Sequence, residues 1–411
     1  MTNLTDRVEA NRRALARLLA VQPAWSAVRR AREALGLPDR TLLHAGPPLH
    51  DPCRPPAPLL SSAVLCCLYE GWAANAAEAQ RLIAAGTVRL RPAQDFRAVT
   101  PLAAVISPST MLVEVCDLAG GAGRAWSLLG SGAGSQLRFG SRDPAILTRL
   151  AWRDGPLAAE LARGLETGPL PLLPLAAAGL AGGDDLHART SGANAALCRA
   201  LVPRLLAGSP SANEQAQAVA DMLAQTPLFF LTPWMAACHL MLDAAADAGS
   251  DPGASLVVAL AGNGERVGIR LAGQPDRWHT AAAEPPAGPR LNALAAAATA
   301  SPVIGDSGVI DVLGCGGQAL DRAPEVVDAL APWLPADWRS RAGGLLAGSH
   351  AGLAPAGLPV GLDASAVRPD RTPLAAIAMV DAAGELGLLG RGLYLPPAAL
   401  FIGAVGAVGA I

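Results

Sequence analysis

The periodicity of the apolar residues divides the chain into three. From Asp143 to Gly249 they recur at helical spacing with few interruptions. On either side lie short strand-like runs bounded by glycine-rich turns. That order implies a mixed α/β or α+β fold. We expect an N-terminal α/β domain with leading helices over residues 1–142, a helical domain over 143–250 and a C-terminal α/β domain over 251–411. A chain of 411 residues is long enough for two or three domains.

Within the first part, Asp6–Val21 and Ala24–Leu37 read as helices separated at Pro23. Thr41–Gly46 reads as a strand that runs into Pro47-Pro48, and Leu59–Ala85 as one long helix. Val88–Leu90, Met111–Val115 and Ala125–Leu129 carry strand character. The middle part predicts helices over Ala145–Arg153, Leu157–Glu166, Asn194–Leu206, Asn213–Gln225 and Phe229–Ala248, with Thr167–Gly183 as a connector. Ser255–Leu260 and Val267–Leu271 form a hairpin signal across Gly262-Asn263-Gly264, because Asn-Gly accepts the positive φ of a tight turn. A further helix is expected near Ala319–Leu330.

Composition removes several functions. All 32 basic residues are arginine and lysine is absent, which excludes lysine Schiff-base chemistry and a P-loop. Any anion must be held by arginine, backbone N–H groups or a metal. A net charge of −2 argues against a nucleic-acid binder. A GC-rich codon bias accounts for most of the lysine loss. Charged residues reach only 16%, which also suits a surface partly covered by another subunit. Met1–Arg13 has no apolar core of a secretory signal. The apolar Ala398–Ile411 segment holds three glycines and is short against the roughly 20 residues of a membrane span, so a buried terminal segment is expected. Seven cysteines without a CxxC pair point to reduced thiols in the cytoplasm and to no zinc site.

Several constellations carry chemistry, each beside a plainer reading. His44 ends a strand before a glycine turn, where α/β folds present ligands, or it simply fixes that turn. Glu70 follows a long apolar run and is either a shielded base or a helix-rim carboxylate. Asp184, His187 and Arg189 stand just before a helix, where an aspartate also serves as a cap. Asp306-Ser307 and Gly314-Cys315-Gly316-Gly317 offer backbone N–H groups to an anion, or make ordinary turns. Gly361-Leu362-Asp363 is a weaker signal of the same kind. Ser307 has no GxSxG context. No ligand set has diagnostic metal spacing, although the acid-rich loops leave Mg²⁺ admissible.

These segments resemble one family in order and spacing. They are Leu42-Leu43-His44-Ala45-Gly46-Pro47-Pro48, Tyr69-Glu70-Gly71-Trp72-Ala73, Gly183-Asp184-Asp185-Leu186-His187-Ala188-Arg189 and Phe229-Phe230-Leu231. Asn263-Gly264, Gly268-Ile269-Arg270, Gly305-Asp306-Ser307, Gly361-Leu362-Asp363 and Thr372-Pro373-Leu374 complete the set. The chain resembles the AllG-like proteins from about Leu42 to about Gly392. The resemblance implies an α/β architecture with a helical insertion and a place in oxamate carbamoyltransferase of allantoin degradation and purine catabolism. That enzyme passes a carbamoyl group between oxalurate and phosphate, giving oxamate and carbamoyl phosphate. It implies a hetero-complex with an FdrA-like and another subunit, and leaves room for a homodimer.

On that reading His44 or His187 is the acid/base, with Glu70 and Asp184 as catalytic carboxylates. Arg189 and Arg270 hold carboxylate or phosphate, and Asn263, Gly264, Asp306, Ser307 and Asp363 complete the substrate site. Phosphate or carbamoyl phosphate is then a substrate, and no resident cofactor is required. The chain departs from the family pattern at several places. Ala376-Ile377-Ala378 replaces Asn-Thr-Gly, Asp381 a histidine, Leu388 a glutamine, and Ala103-Ala104 a Gly-Gly. The family's charged final helix has no counterpart after Phe401. These losses keep two other readings open: a non-catalytic scaffold or binding subunit, and a stand-alone amidohydrolase-like enzyme.

Overall fold

The computed structural model describes residues 4–207, 213–247 and 249–408. Helix α1 (Leu4–Ala20) leads into strand β1 (Pro23–Arg30) and the short helix α2 (Ala31–Leu35). The expected helix over Ala24–Leu37 is therefore corrected. β1 pairs with β5 (Met111–Asp117), and Trp25 and Val28 go into the core from it. Long-range pairing outweighs a weak local helical pattern.

Strand β2 (Thr41–His44) pairs in parallel with β3 (Arg89–Pro92), and α3 (Ala57–Tyr69) and α4 (Ala76–Ala84) lie between them in sequence. The single helix expected over Leu59–Ala85 is thus two. It breaks at Gly71, φ +69°, and restarts where the Asn75 side chain accepts from the Glu78 N–H. β4 (Ala98–Val99), β6 (Arg124–Leu128) and β7 (Leu170–Pro171) complete a five-stranded sheet of order β4-β6-β5-β1-β7.

In the middle region α5 (Ala145–Trp152) continues through a π-helical turn at Arg153–Leu157 into α6 (Ala158–Leu165). The presumed connector holds strand β7 and helix α7 (Leu173–Ala181), which its prolines and glycines concealed. Three further helices follow, α8 (Ser191–Leu206), α9 (Asn213–Gln225) and α10 (Leu231–Ala245). The expected end of α10 at Ala248 lies outside the described residues.

The hairpin forms as expected, from β8 (Val257–Asn263) and β9 (Arg266–Leu271). β10 (Gln274–Ala282) and β11 (Ile304–Gly305) extend it in the order β10-β9-β8-β11. Then come α11 (Ala293–Ala297), α12 (Gly308–Leu313) and α13 (Pro324–Leu330), the last preceded by single 3₁₀ turns where one helix was expected. The final helix, Ala398–Val408, buries Leu400, Phe401, Ala404 and Val408, and residues 409–411 lie outside the description. Among the described residues no helix is long and apolar enough to cross a membrane.

Helix α10 is mostly apolar and buried along nearly its whole length. It packs against α1, β5, β6, α12 and β8, and so joins the two sheets. One buried cluster runs from Ala10 to Val408 through all three segments. Trp25, Phe229, Phe230, Trp234 and Phe401 are its largest members, each worth roughly 1.5–3 kcal/mol of transfer free energy when fully buried.

Candidate functional site

The turn Gly182–Arg189 between α7 and α8 is built around Asp185. Its carboxylate accepts from the backbone N–H groups of His187 (3.2 Å), Ala188 (3.1 Å) and Arg189 (2.7 Å). Leu186 takes φ +67°, a conformation a leucine adopts only when its surroundings enforce it. The turn delivers His187 to Asp311 on α12, with Nδ1 2.8 Å from Oδ2. Oδ1 of Asp311 accepts from the Gly317 N–H (2.8 Å) and the Ala376 N–H (3.0 Å). Burial alone would lower the His187 pKa, but the Asp311 and Asp185 carboxylates outweigh it and raise it. The two carboxylates thus favour the imidazolium over the neutral ring, and Nε2 has no partner among the described residues.

Gly316 makes this approach feasible. It sits at φ +56°, and a Cβ there would collide with the Asp311 carboxylate and come within 3.0 Å of the His187 Cβ. Arg189 is fixed by Asp184 on one side and by Glu325 at 2.9 Å on the other. Asp184 also accepts from the Ala193 N–H at the start of α8 (2.8 Å), so it is both helix anchor and arginine partner.

His187 and Arg189 open on a cavity of about 660 Å³. All three sequence segments contribute to its wall. Gly132–Gly134, Gln136, Arg138 and Phe139 come from the loop after β6, and Gln225–Leu228 and Leu231 from the α9–α10 junction. Ser307, Glu325, Ala376, Ile377, Ala378, Leu388 and Arg391 come from the C-terminal region. The volume falls within the roughly 300–1,000 Å³ of small-molecule sites.

Of the residues singled out in the sequence, the cavity brings together His187, Arg189 and Ser307, with Asp184 behind Arg189. The others stand elsewhere. His44 is buried, its Nδ1 2.7 Å from the Ala45 carbonyl, and burial lowers its pKa to about 4. Glu70 accepts from the Ser109 N–H (2.7 Å) and hydroxyl (2.9 Å), which pins the turn before β5. Asn263 donates to the Pro47 carbonyl (2.9 Å) and accepts from the Glu265 and Arg266 N–H groups, so its amide closes the hairpin. Gly264, φ +87°, occupies the same turn.

Arg270 pairs with Asp95 and stacks on Trp278. Asp306 accepts from the Gly46 N–H, the Gln94 amide and the Thr100 N–H, and burial still pushes its pKa up to about 6. It ties the His44 turn to the strand next to Ser307. Asp363 holds Asn11, Ser255 and the Ser365 N–H. Among the described residues no group of three or more His, Cys, Asp or Glu side chains converges as a metal site.

Asp311, Arg138 and Arg391 escaped sequence reading. The signal for Asp311 was a lone acid within Gly-Val-Ile-Asp-Val-Leu, where a solvated carboxylate is out of place. Arg138 and Arg391 carried no comparable signal.

Residues 88–307 match the family described as oxamate carbamoyltransferase subunit AllG. The chain is 34% identical over 322 residues to the Escherichia coli K12 protein of that name, covering 78% of this chain and 74% of that one. The chain belongs to the AllG family. It is also 29% identical over 331 residues to the uncharacterised protein YahG of the same organism, covering 79% and 68% of the two chains. A crystal structure of a conserved protein of unknown function from Enterococcus faecalis V583 shares the fold, with a TM-score of 0.88, 26% identity and 98% coverage of both chains.

The matched span of the AllG family includes His187, Arg189 and Ser307, while Asp311 lies just beyond it. Ala376, Ile377, Ala378 and Leu388, beyond the matched span, all line the cavity.

Proposed function

We propose that the chain is a subunit of a carbamoyltransferase complex, and that the cavity beside His187 is where a carbamoyl group passes between a ureide such as oxalurate and phosphate. The observation that carries this reading is the Asp311-held His187 facing the same cavity as Arg189, Arg391 and Ser307. Family membership supports it, since the E. coli relative is named as an oxamate carbamoyltransferase subunit.

In the direction of ureide breakdown, a phosphate oxygen attacks the carbamoyl carbon and the bond to the leaving amide nitrogen breaks. The products are carbamoyl phosphate and oxamate. The leaving nitrogen must gain a proton. His187, whose protonated form the neighbouring carboxylates favour, supplies it from Nε2 while Asp311 holds the imidazolium. Without lysine, the guanidiniums of Arg189 and Arg391 hold the phosphate oxygens. Phosphate or carbamoyl phosphate enters as substrate, and an FdrA-like subunit is the partner we propose. The seven unpaired cysteines suit a reducing, cytoplasmic setting.

One observation favours a second reading, a non-catalytic binding or scaffold subunit: the apolar wall Ala376, Ile377, Ala378 and Leu388. Phosphorolysis of oxalurate by the chain alone, and by the chain co-purified with the products of neighbouring genes, separates the readings. Turnover only in the mixture, lost on His187→Gln, supports the first. Turnover unchanged in the variant supports the second.

A further inference from the structure

The cavity has a charge surplus and an apolar half, and together they restrict the ligand. Outside the His187–Asp311 pair, the guanidiniums on its wall are those of Arg138, Arg189 and Arg391. Arg189 faces Asp184 and Glu325, and Arg391 reaches Glu325 at 3.5 Å. Two carboxylates thus meet three cations. The unmatched one is Arg138, which has no ion pair and no side-chain hydrogen bond among the described residues. Its guanidinium lies over the Phe139 ring at 4.9 Å, and its Nε is closed off from solvent without a partner. Burial without an opposing acid lowers its pKa to about 10, which still leaves it cationic at neutrality. An uncompensated guanidinium in a half-enclosed wall is costly until an anion meets it.

Much of the remaining lining is apolar. Leu291, Ile377, Ala378 and Leu388 come from the C-terminal region, and Leu228 and Leu231 from the α9–α10 junction. A ureide as small as oxalurate would leave most of the 660 Å³ unfilled. It would also leave these side chains facing water rather than ligand.

We infer that the ligand of this cavity is a monoanionic ureido acid with a hydrocarbon side chain, its carboxylate on Arg138 and its side chain against Ile377, Ala378 and Leu388. This rests on the carbamoyl-transfer reading for the ureido group, and on the cavity alone for the anion and the hydrocarbon.

Calorimetric titration of the purified full-length chain with three probes tests it. They are N-carbamoyl-leucine, 4-methylpentanoate (the same anion and branch without the ureido group) and oxalurate. The expected order is N-carbamoyl-leucine tightest, with oxalurate weaker by roughly tenfold or more for the lost branch. Arg138→Gln should weaken N-carbamoyl-leucine by roughly 10–100-fold, as for a lost charged hydrogen bond, and Arg138→Lys should recover part of it. Circular dichroism checks that both variants fold. If 4-methylpentanoate binds as tightly as N-carbamoyl-leucine and needs Arg138, the anion and hydrocarbon sites stand and the carbamoyl reading fails. Oxalurate binding as tightly as the branched ureide, indifference to Arg138→Gln, or no binding by any probe would each overturn the inference.

Discussion

The Nδ1 of His187 lies 2.8 Å from Oδ2 of Asp311, across 124 residues of sequence. The pair is buried, and the second carboxylate oxygen is occupied by two backbone N–H groups, so Asp311 has no freedom to leave the ring. That fixes the tautomer and leaves Nε2 as the nitrogen for proton transfer.

The first prediction concerns pH. Because the His187 pKa is raised in the fold, its pairing adds stability that is fully present below the ordinary histidine value. That stability is lost as pH rises through the raised one. Asp311→Asn removes the carboxylate and leaves burial to lower the pKa. The alkaline limb of the rate profile should then move to lower pH, with turnover reduced about 100–10,000-fold. A pH–rate profile of the reconstituted complex reads both, and an unmoved limb would count against His187 as the acid.

Gly316 and Gly36 form a matched pair. Both have positive φ, +56° and +59°, but only Gly316 lies against the Asp311 carboxylate, while Gly36 faces open space. Gly36→Ala should cost about 1 kcal/mol for the left-handed backbone and leave turnover intact. Gly316→Ala should cost more and abolish turnover. Denaturant melts and initial rates on the two variants provide the check.

His44 should behave as a buried neutral ring. Its pKa of about 4 lies below the ordinary value of 6.5, so its contribution to stability is present above pH 6.5 and is lost as pH falls towards 4. The loss amounts to about 3 kcal/mol. His44→Asn should flatten the stability–pH curve across that window, measured by urea unfolding at several pH values.

Six of the seventeen described strands, with the hairpin turn, were legible in the sequence, and the reasons the others were not are physical. Asn263-Gly264 announced its hairpin because positive φ is a local demand. Pro23–Arg30 did not announce a strand, since its role as a central strand comes from Met111–Asp117, some eighty residues away. The candidate site divides in the same way. The Asp184–Arg189 turn was visible as a polar cluster, and His187 with it. Asn263, Asp306 and Asp363 were equally conspicuous, yet each spends its hydrogen bonds on cross-linking loops. Asp311 and Arg138 could not be found by spacing, because what defines them is a partner far along the chain or the lack of one.

The apolar wall offers another test. Ala376→Asn with Leu388→Gln places polar groups on this wall of the cavity. The double variant should use oxalurate more efficiently, by roughly tenfold in kcat/KM. Competition between oxalurate and N-carbamoyl-leucine in one reaction measures the change in preference.

The central claim is that His187 transfers the proton in carbamoyl transfer. Its most direct measurement is the formation of ¹³C-carbamoyl phosphate from labelled oxalurate and phosphate, followed by NMR, with the complex carrying either the wild-type chain or His187→Gln. The account predicts product with the wild type and a loss of at least about 100-fold with the variant, at unchanged complex assembly. Equal rates from both complexes would contradict it.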